Sequence, residues 1–439
     1  MDTLISNVTV VTMNEKMEVL FGACIGITQG KISYLGQKAP DEMPAEIVDG
    51  TGMVAMPGLV NCHTHLTDTV LRGLLDEMDA PQALEQLLQK RVKLDLRSAK
   101  AAAQMGIAEC LRFGITSVSD LSDFPEAVAE AAAEAGIKAN VALSASRFED
   151  DNEEFDFETD AVCGKMRALT EKFHGYDDGR ILVDAGIYAE YTSNHQLWEA
   201  VSDYAREKGL GMQLHLAQTE QEVEDCLDRT GLGAGELLSC HRVFDNRTAA
   251  TDCAFLSDEE RALLGKRHVT AVATPIAAAK AGRGTTPIAA CVKAGMNVAL
   301  GTGGAVDSGN LDLFEAMRLA VLQARQSGNG AQAMPASAGL MMATTCGARA
   351  QGRTDSCGML KEGLDADIVL VDFSAPHLMP CHNVLSTLVF GAKGGDVAMT
   401  MVRGKILYRS GSFPTLELGT VVQELTQYAI PRLFEQTQQ

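Results

Sequence analysis

A chain of 439 residues with 46% hydrophobic side chains is too long for one small domain. It suits a barrel of roughly 250–350 residues plus an accessory unit. The net charge of −21, with no basic patch interrupting it, argues against nucleic acid and anionic membrane surfaces as partners. The eleven cysteines are scattered, none at C-x-x-C spacing, and no apolar run approaches the ~18 residues of a membrane span. Without a charged-then-apolar leader either, the expectation is reduced thiols in a cytoplasm.

Along the chain, residues 1–56 read as short strands joined by turns. Val8–Met13, Ala23–Thr28 and Lys31–Leu35 alternate or run apolar, with Gln29-Gly30 at a hairpin turn. The run Pro-Gly-Leu-Val-Asn-Cys-His-Thr-His-Leu (57–66) follows. Strand side chains repeat every two residues, so His63 and His65 should leave the same face at a strand end. Two neutral imidazoles converging there can hold one divalent metal.

The middle of the chain alternates. Apolar strand candidates stand at 57–63, 114–119, 138–145, 181–188, 209–216, 247–254, 268–273 and 296–302. Helical patterns lie between them, among them Ser98–Phe113, Pro125–Ala135, Asn194–Lys208, Glu220–Arg229, Ser257–Lys266 and Pro287–Ala294. Leu311–Gln326 is helical after the last strand. Eight β–α alternations imply a parallel sheet closed as a TIM-type barrel, with functional groups at the C-terminal strand ends. His63 and His65 end the first candidate, His215 the fifth and Asp252 the sixth. The segment 360–412 returns to the texture of the first 56 residues. The fold class is therefore α/β. Residues 57–359 form a (β/α)8 barrel, and residues 1–56 and 360–439 form a small composite β-sandwich with a C-terminal tail.

These stretches resemble the amidohydrolase superfamily, in particular its branch of methylthioadenosine/S-adenosylhomocysteine deaminases and chlorohydrolases. The resemblance is carried by Met56–Gly73, Leu214–Glu220, Cys253–Leu264, Val298–Leu313 and Gly363–Asp372. It implies one divalent metal, zinc or iron, that activates water for attack on an amidine-like carbon of a small molecule. It also implies His63, His65 and His215 as metal ligands. Relatives often form dimers or tetramers, which leaves a homo-oligomer open.

The carry-over is incomplete. Gln218 stands where the family has a proton-moving glutamate, Asp252 where it has a water-orienting histidine, and Gly303 where it has a ligating aspartate. Tyr188 takes the place of a substrate-contacting histidine. Glutamine exchanges no proton near neutrality, a loss of about 10²–10⁴-fold in general acid–base catalysis. Without a carboxylate at 303, three neutral histidines face a doubly charged ion alone, so the metal is held weakly or not at all.

Asp252 is the foremost replacement, as ligand or base, with Gln218 beside it. Asp307 is a weaker candidate, and Asp120 reads as a carboxylate capping backbone amides. Arg72, after the histidine motif, either shapes a substrate loop or makes a structural ion pair. Cys62 and Cys253 should pack between barrel and helices, and Glu220–Glu224 should be a solvated first helical turn. The acidic loop 147–160 either lines the mouth, discouraging anionic substrates, or is a solvated insertion.

Two functions stay open. One is a metal-dependent hydrolase or deaminase of C–N bonds in a small aminated heterocycle. The other is a catalytically silent relative that binds a small molecule or a protein.

Overall fold

The computed structural model describes residues 1–78, 80–148, 155–328 and 330–434. Much of the acidic loop 147–160 lies outside them. Eight parallel strand segments form the barrel. Leu59–His65, Ile115–Ser122 and Lys138–Leu143 pair in sequence order and continue to Ile181–Val183. Met212–Leu216, Thr248–Asp252, Thr270–Ala273 and Asn297–Leu300 do the same, starting from Ala185–Gly186.

Two continuous pieces of chain join these half-sheets. Residues 181–186 pair on one side through Ile181–Val183 and on the other through Ala185–Gly186. In the piece 297–304, Asn297–Leu300 pairs with the seventh strand and Gly303–Gly304 with the first. That last pairing closes the barrel and sets Gly304 beside His65.

The helices that wrap the barrel follow local chemistry. Asp95 accepts the Ser98 N–H to start Leu96–Arg112, and Thr219 accepts the Glu222 N–H to start Glu220–Thr230. Gly136 and Gly209 end Pro125–Ala135 and His195–Lys208 in the left-handed conformation. Alanines line the helix Pro125–Ala135, which lets it lie close on the second and third strands.

The chain ends build one continuous eight-stranded sheet. Its hydrogen-bonded path runs from Lys405–Arg409 through Val397–Val402, Ile368–Asp372, Met53–Pro57, Thr3–Val11 and Val19–Thr28 to Lys31–Gly36. Glu46–Asp49 joins it alongside Thr3–Val11. The two-residue alternation divides its faces. Ala55, Ile368 and Leu370 belong to the sheet's own apolar core, with Ile5, Ile25 and Met401. Val54, Met56, Val369 and Val371 face the barrel core.

The last helical stretch leaves the sheet. Val421, Leu425 and Ala429 pack on Ala101 and Ala102 of the helix Leu96–Arg112, so the C-terminal tail rests on the barrel. No helix among the described residues is long and apolar enough to cross a membrane.

Cys62 meets both strands and a helix. It is buried against Ala249, Val272 and Ala299 of other strands and against the helix Thr345–Ala350, through Ala350 and the Gly347 carbonyl 3.6 Å from its Sγ. Pairing of the first strand with the second is irregular between Asn61 and Thr64, so simple alternation fails there. Cys253 does lie in the main strand–helix core, and all eleven cysteines are free thiols.

Candidate metal centre and active site

The first and fifth barrel strands deliver three buried histidines to one point. The ligand nitrogens of His63, His65 and His215 all lie within 4.8 Å of one another. Nε2 of His63 and Nε2 of His65 are 3.2 Å apart.

The outer nitrogens fix the tautomers. His65 Nδ1 lies 2.7 Å from the Leu121 carbonyl, which can only accept, so this nitrogen carries the proton. His215 Nδ1 lies 3.0 Å from Asp252 Oδ2 and donates to it. In each ring the lone pair is left on Nε2, and His215 Nε2 is buried with no hydrogen-bond partner among the described residues. Burial, then the neighbouring His215 and His65, holds His63 well below the usual imidazole range. Burial also lowers His215, although Asp252 opposes the shift. Neutral imidazoles with inward lone pairs are the donor set a single divalent cation requires.

Asp252 stands behind this set. Oδ2 accepts from His215 Nδ1 and, at 2.8 Å, from Gln218 Nε2. Oδ1 accepts from Thr274 Oγ1 at 3.1 Å, with Arg283 Nη2 at 3.6 Å. The residue sits at φ 77°, a left-handed conformation uncommon outside glycine, and Thr286 Oγ1 holds its carbonyl at 2.5 Å. The expectation that Asp252 ligates the metal does not match this geometry. Its bonding oxygen lies on the Nδ1 edge of the imidazole, whereas a metal would sit on the Nε2 edge. Burial tends to raise this carboxyl, but the hydrogen bonds from His215 and Gln218 and the positive charge of Arg283 oppose it, and the net direction is down.

Gln218 lines the same cavity as the histidines, as do Tyr188, Thr274, Arg91 and Arg283. The Tyr188 ring packs 5.0 Å from that of His215, and its carbonyl accepts the His215 backbone N–H at 2.8 Å. Arg72 is not among the cavity residues. Its guanidinium pairs with Glu109 and donates to the Gly309 carbonyl at 2.8 Å, the structural ion pair that sequence left open.

Asp120 caps backbone, as expected. Its Oδ2 accepts the Leu66 N–H at 2.7 Å and Thr64 Oγ1 at 3.0 Å. Burial raises its carboxyl to about 6. Glu222 contradicts the reading of a solvated helical turn. It is buried and accepts the backbone N–H groups of Ala217 and Gln218 at 3.0 and 2.8 Å. Burial drives its carboxyl up to about 7 against those bonds.

Residues 54–407 match the amidohydrolase family. The chain belongs to that family. A 5-methylthioadenosine/S-adenosylhomocysteine deaminase of Thermoanaerobacter pseudethanolicus is 32% identical, covering 98% of this chain and 99% of its own. A 5'-deoxyadenosine deaminase of Methanosarcina mazei is 34% identical over 98% of each. An adenosine deaminase from Xanthomonas campestris, solved with bound zinc, superposes with a TM-score of 0.91 at 28% identity, covering 98% of both chains. This amidohydrolase fold explains why the histidines come from separate strands yet meet at one end.

Sequence reasoning missed Arg91 and Arg283 as cavity residues of this amidohydrolase. Arg91 reaches the cavity from the helix Ala80–Arg91 and is tied to the buried Asp68 through Nε at 3.1 Å. Arg283 comes from the stretch after the seventh strand. Neither stands in a motif. Thr274, on the same wall, bonds Asp252.

Proposed function

We propose that this amidohydrolase is a metal-dependent hydrolase that removes an amino group from an adenosine-like small molecule. The three-histidine site carries the reading, above all the buried Nε2 of His215, unpartnered among the described residues, beside the Nε2 pair of His63 and His65. The deaminase names of the two relatives above support the substrate class.

His63, His65 and His215 would hold the metal. A divalent cation held there would supply an activated water and a Lewis acid for the bond to be cleaved. The chain's own residues then bind and orient. Asp252 holds His215 in its Nδ1–H tautomer. Tyr188 and Gln218 offer a hydroxyl and an amide to the ring of a substrate in the cavity. Proton transfer cannot run through Gln218, because an amide does not ionise near neutrality. Its Nε2 is also committed to Asp252.

That commitment favours a second reading, a relative that binds a nucleoside without hydrolysing it. One experiment separates the two. Zinc and iron are measured in protein purified without added metal and in His215→Ala, and ammonia release is followed with adenosine, 5'-deoxyadenosine and methylthioadenosine. Stoichiometric metal that vanishes in His215→Ala, with ammonia released by the parent protein, supports the hydrolase. Metal and nucleoside binding without ammonia supports the silent relative. No metal in the parent protein sinks both the metal site and the hydrolase.

A further inference from the structure

We infer that Asp307, on the wall of the histidine cavity, supplies the negative charge that three neutral histidines lack at the cation site. The inference rests on the metal-site reading and adds a residue to it.

Among the described residues, Asp307 is the one carboxylate lining the histidine cavity. The other charged groups there, Arg91 and Arg283, are cations. A divalent ion on three neutral nitrogens keeps its full charge in a buried setting. An anionic oxygen in the same cavity lowers that cost. Asp252 does not fill this place, since its carboxylate is engaged on the far edge of His215.

The eighth strand shows how Asp307 reaches the site. Gly303 pairs beside Thr64, and Gly304 beside His65. A Cβ on Gly303 would lie 3.6 Å from both Cβ and Oδ2 of Asp307. A Cβ on Gly304 would lie 3.0 Å from that oxygen and 3.2 Å from the Cβ of His65. The Asp307 carboxylate therefore lies against the space above both glycines, tightly at 304, alongside His65. Gly303 also has φ 70°, which glycine adopts without strain. Gly304 and Asp307 thus form one arrangement, in which a missing side chain leaves room for a carboxylate three residues further on.

Asp307 Oδ2 accepts the Gly304 N–H at 3.0 Å, which holds the carboxylate over the strand end. Among the described residues, Oδ1 has no hydrogen-bond partner. The charge is felt across the cavity. Burial raises the Tyr188 phenol above its ordinary range, Arg91 opposes this, and the negative charge of Asp307 adds to it.

The competing explanation is a backbone cap alone. An asparagine at 307 would serve a cap almost as well, because its carbonyl oxygen accepts the Gly304 N–H. It would not serve as an anion. Zinc affinity is therefore measured for the parent protein, Asp307→Asn and Asp307→Ala by competition with a chromophoric chelator. Thermal melts establish that each is folded. Cobalt-substituted samples report the ligand field by visible absorption.

The charge role predicts zinc affinity weaker by about 10-fold or more in both variants, with a changed cobalt spectrum. Native affinity and spectrum in Asp307→Asn overturn the inference, whatever Asp307→Ala does, and leave the histidine site standing. A parent protein that binds no zinc overturns the histidine site and this inference together.

Discussion

Asp252 Oδ2 and His215 Nδ1 are 3.0 Å apart, and the same oxygen accepts the Gln218 amide at 2.8 Å. A carboxylate that grips the outer nitrogen of a metal-binding imidazole sets its tautomer, its orientation and its basicity. Asp252→Ala should therefore weaken metal binding by about 10–100-fold, read by competition titration. Asp252→Asn keeps an acceptor for His215 and should lose less. Native affinity in Asp252→Ala would remove Asp252 from this role.

Gln218 and Asp252 are matched as donor and acceptor. Gln218→Glu replaces the donor with a second carboxylate facing the first, with both side chains at least partly buried. The single change should lower the melting temperature. Pairing it with Asp252→His removes the clash, so the double variant should be more stable than the sum of the single effects predicts. A double-mutant cycle by thermal denaturation measures this coupling, expected at about 0.5–3 kcal/mol. Additive effects would show that the two residues act separately.

Glu222 ties the turn after the fifth strand to the helix that follows, by accepting two backbone N–H groups. Burial moves its carboxyl from an ordinary 4.5 up to about 7. The folded state thus binds the proton more tightly than the unfolded chain does. The resulting stability is fully present below pH 4.5 and is lost as pH rises through about 7. Glu222→Gln should be less stable overall, because one acceptor becomes a donor. Its stability should also change less than the parent's between these limits. Denaturant unfolding across that range makes the comparison; parallel curves would refute the assignment.

Asp120 serves structure through one oxygen. Oδ2 holds the Leu66 N–H and the Thr64 hydroxyl, while Oδ1 is buried without a partner among the described residues. Asp120→Asn keeps one acceptor and should be tolerated. Asp120→Ala leaves a buried N–H unpaired and should cost about 1–3 kcal/mol by chemical denaturation. Equal losses in the two variants would mean that the charge, not the hydrogen bond, matters.

Much of this molecule follows from local pattern. Apolar runs bounded by turn residues mark all eight barrel strands, because a strand buried on both faces must be apolar along its length. His63 and His65 were legible as a pair because a strand end fixes where its side chains point. His215 was legible by the same logic, one strand end recurring in another part of the chain.

Other features depend on contacts between distant segments. Nothing local in the short stretches Glu46–Asp49 and Met53–Pro57 announces a strand; each is held by partners elsewhere in the sheet. The faces of Arg91 and Arg283 are set by a helix and a loop that meet only when the barrel closes. Glu222 looked solvated because its helix is acidic, and its burial follows from the turn folding back over it. Sequence placed Asp252 and Asp307 near the histidines but could not divide their tasks. That division rests on which edge of the His215 ring Asp252 meets, and on the space that Gly304 leaves for Asp307. Both are matters of a few ångströms across separate strands, which residue spacing along one chain does not specify.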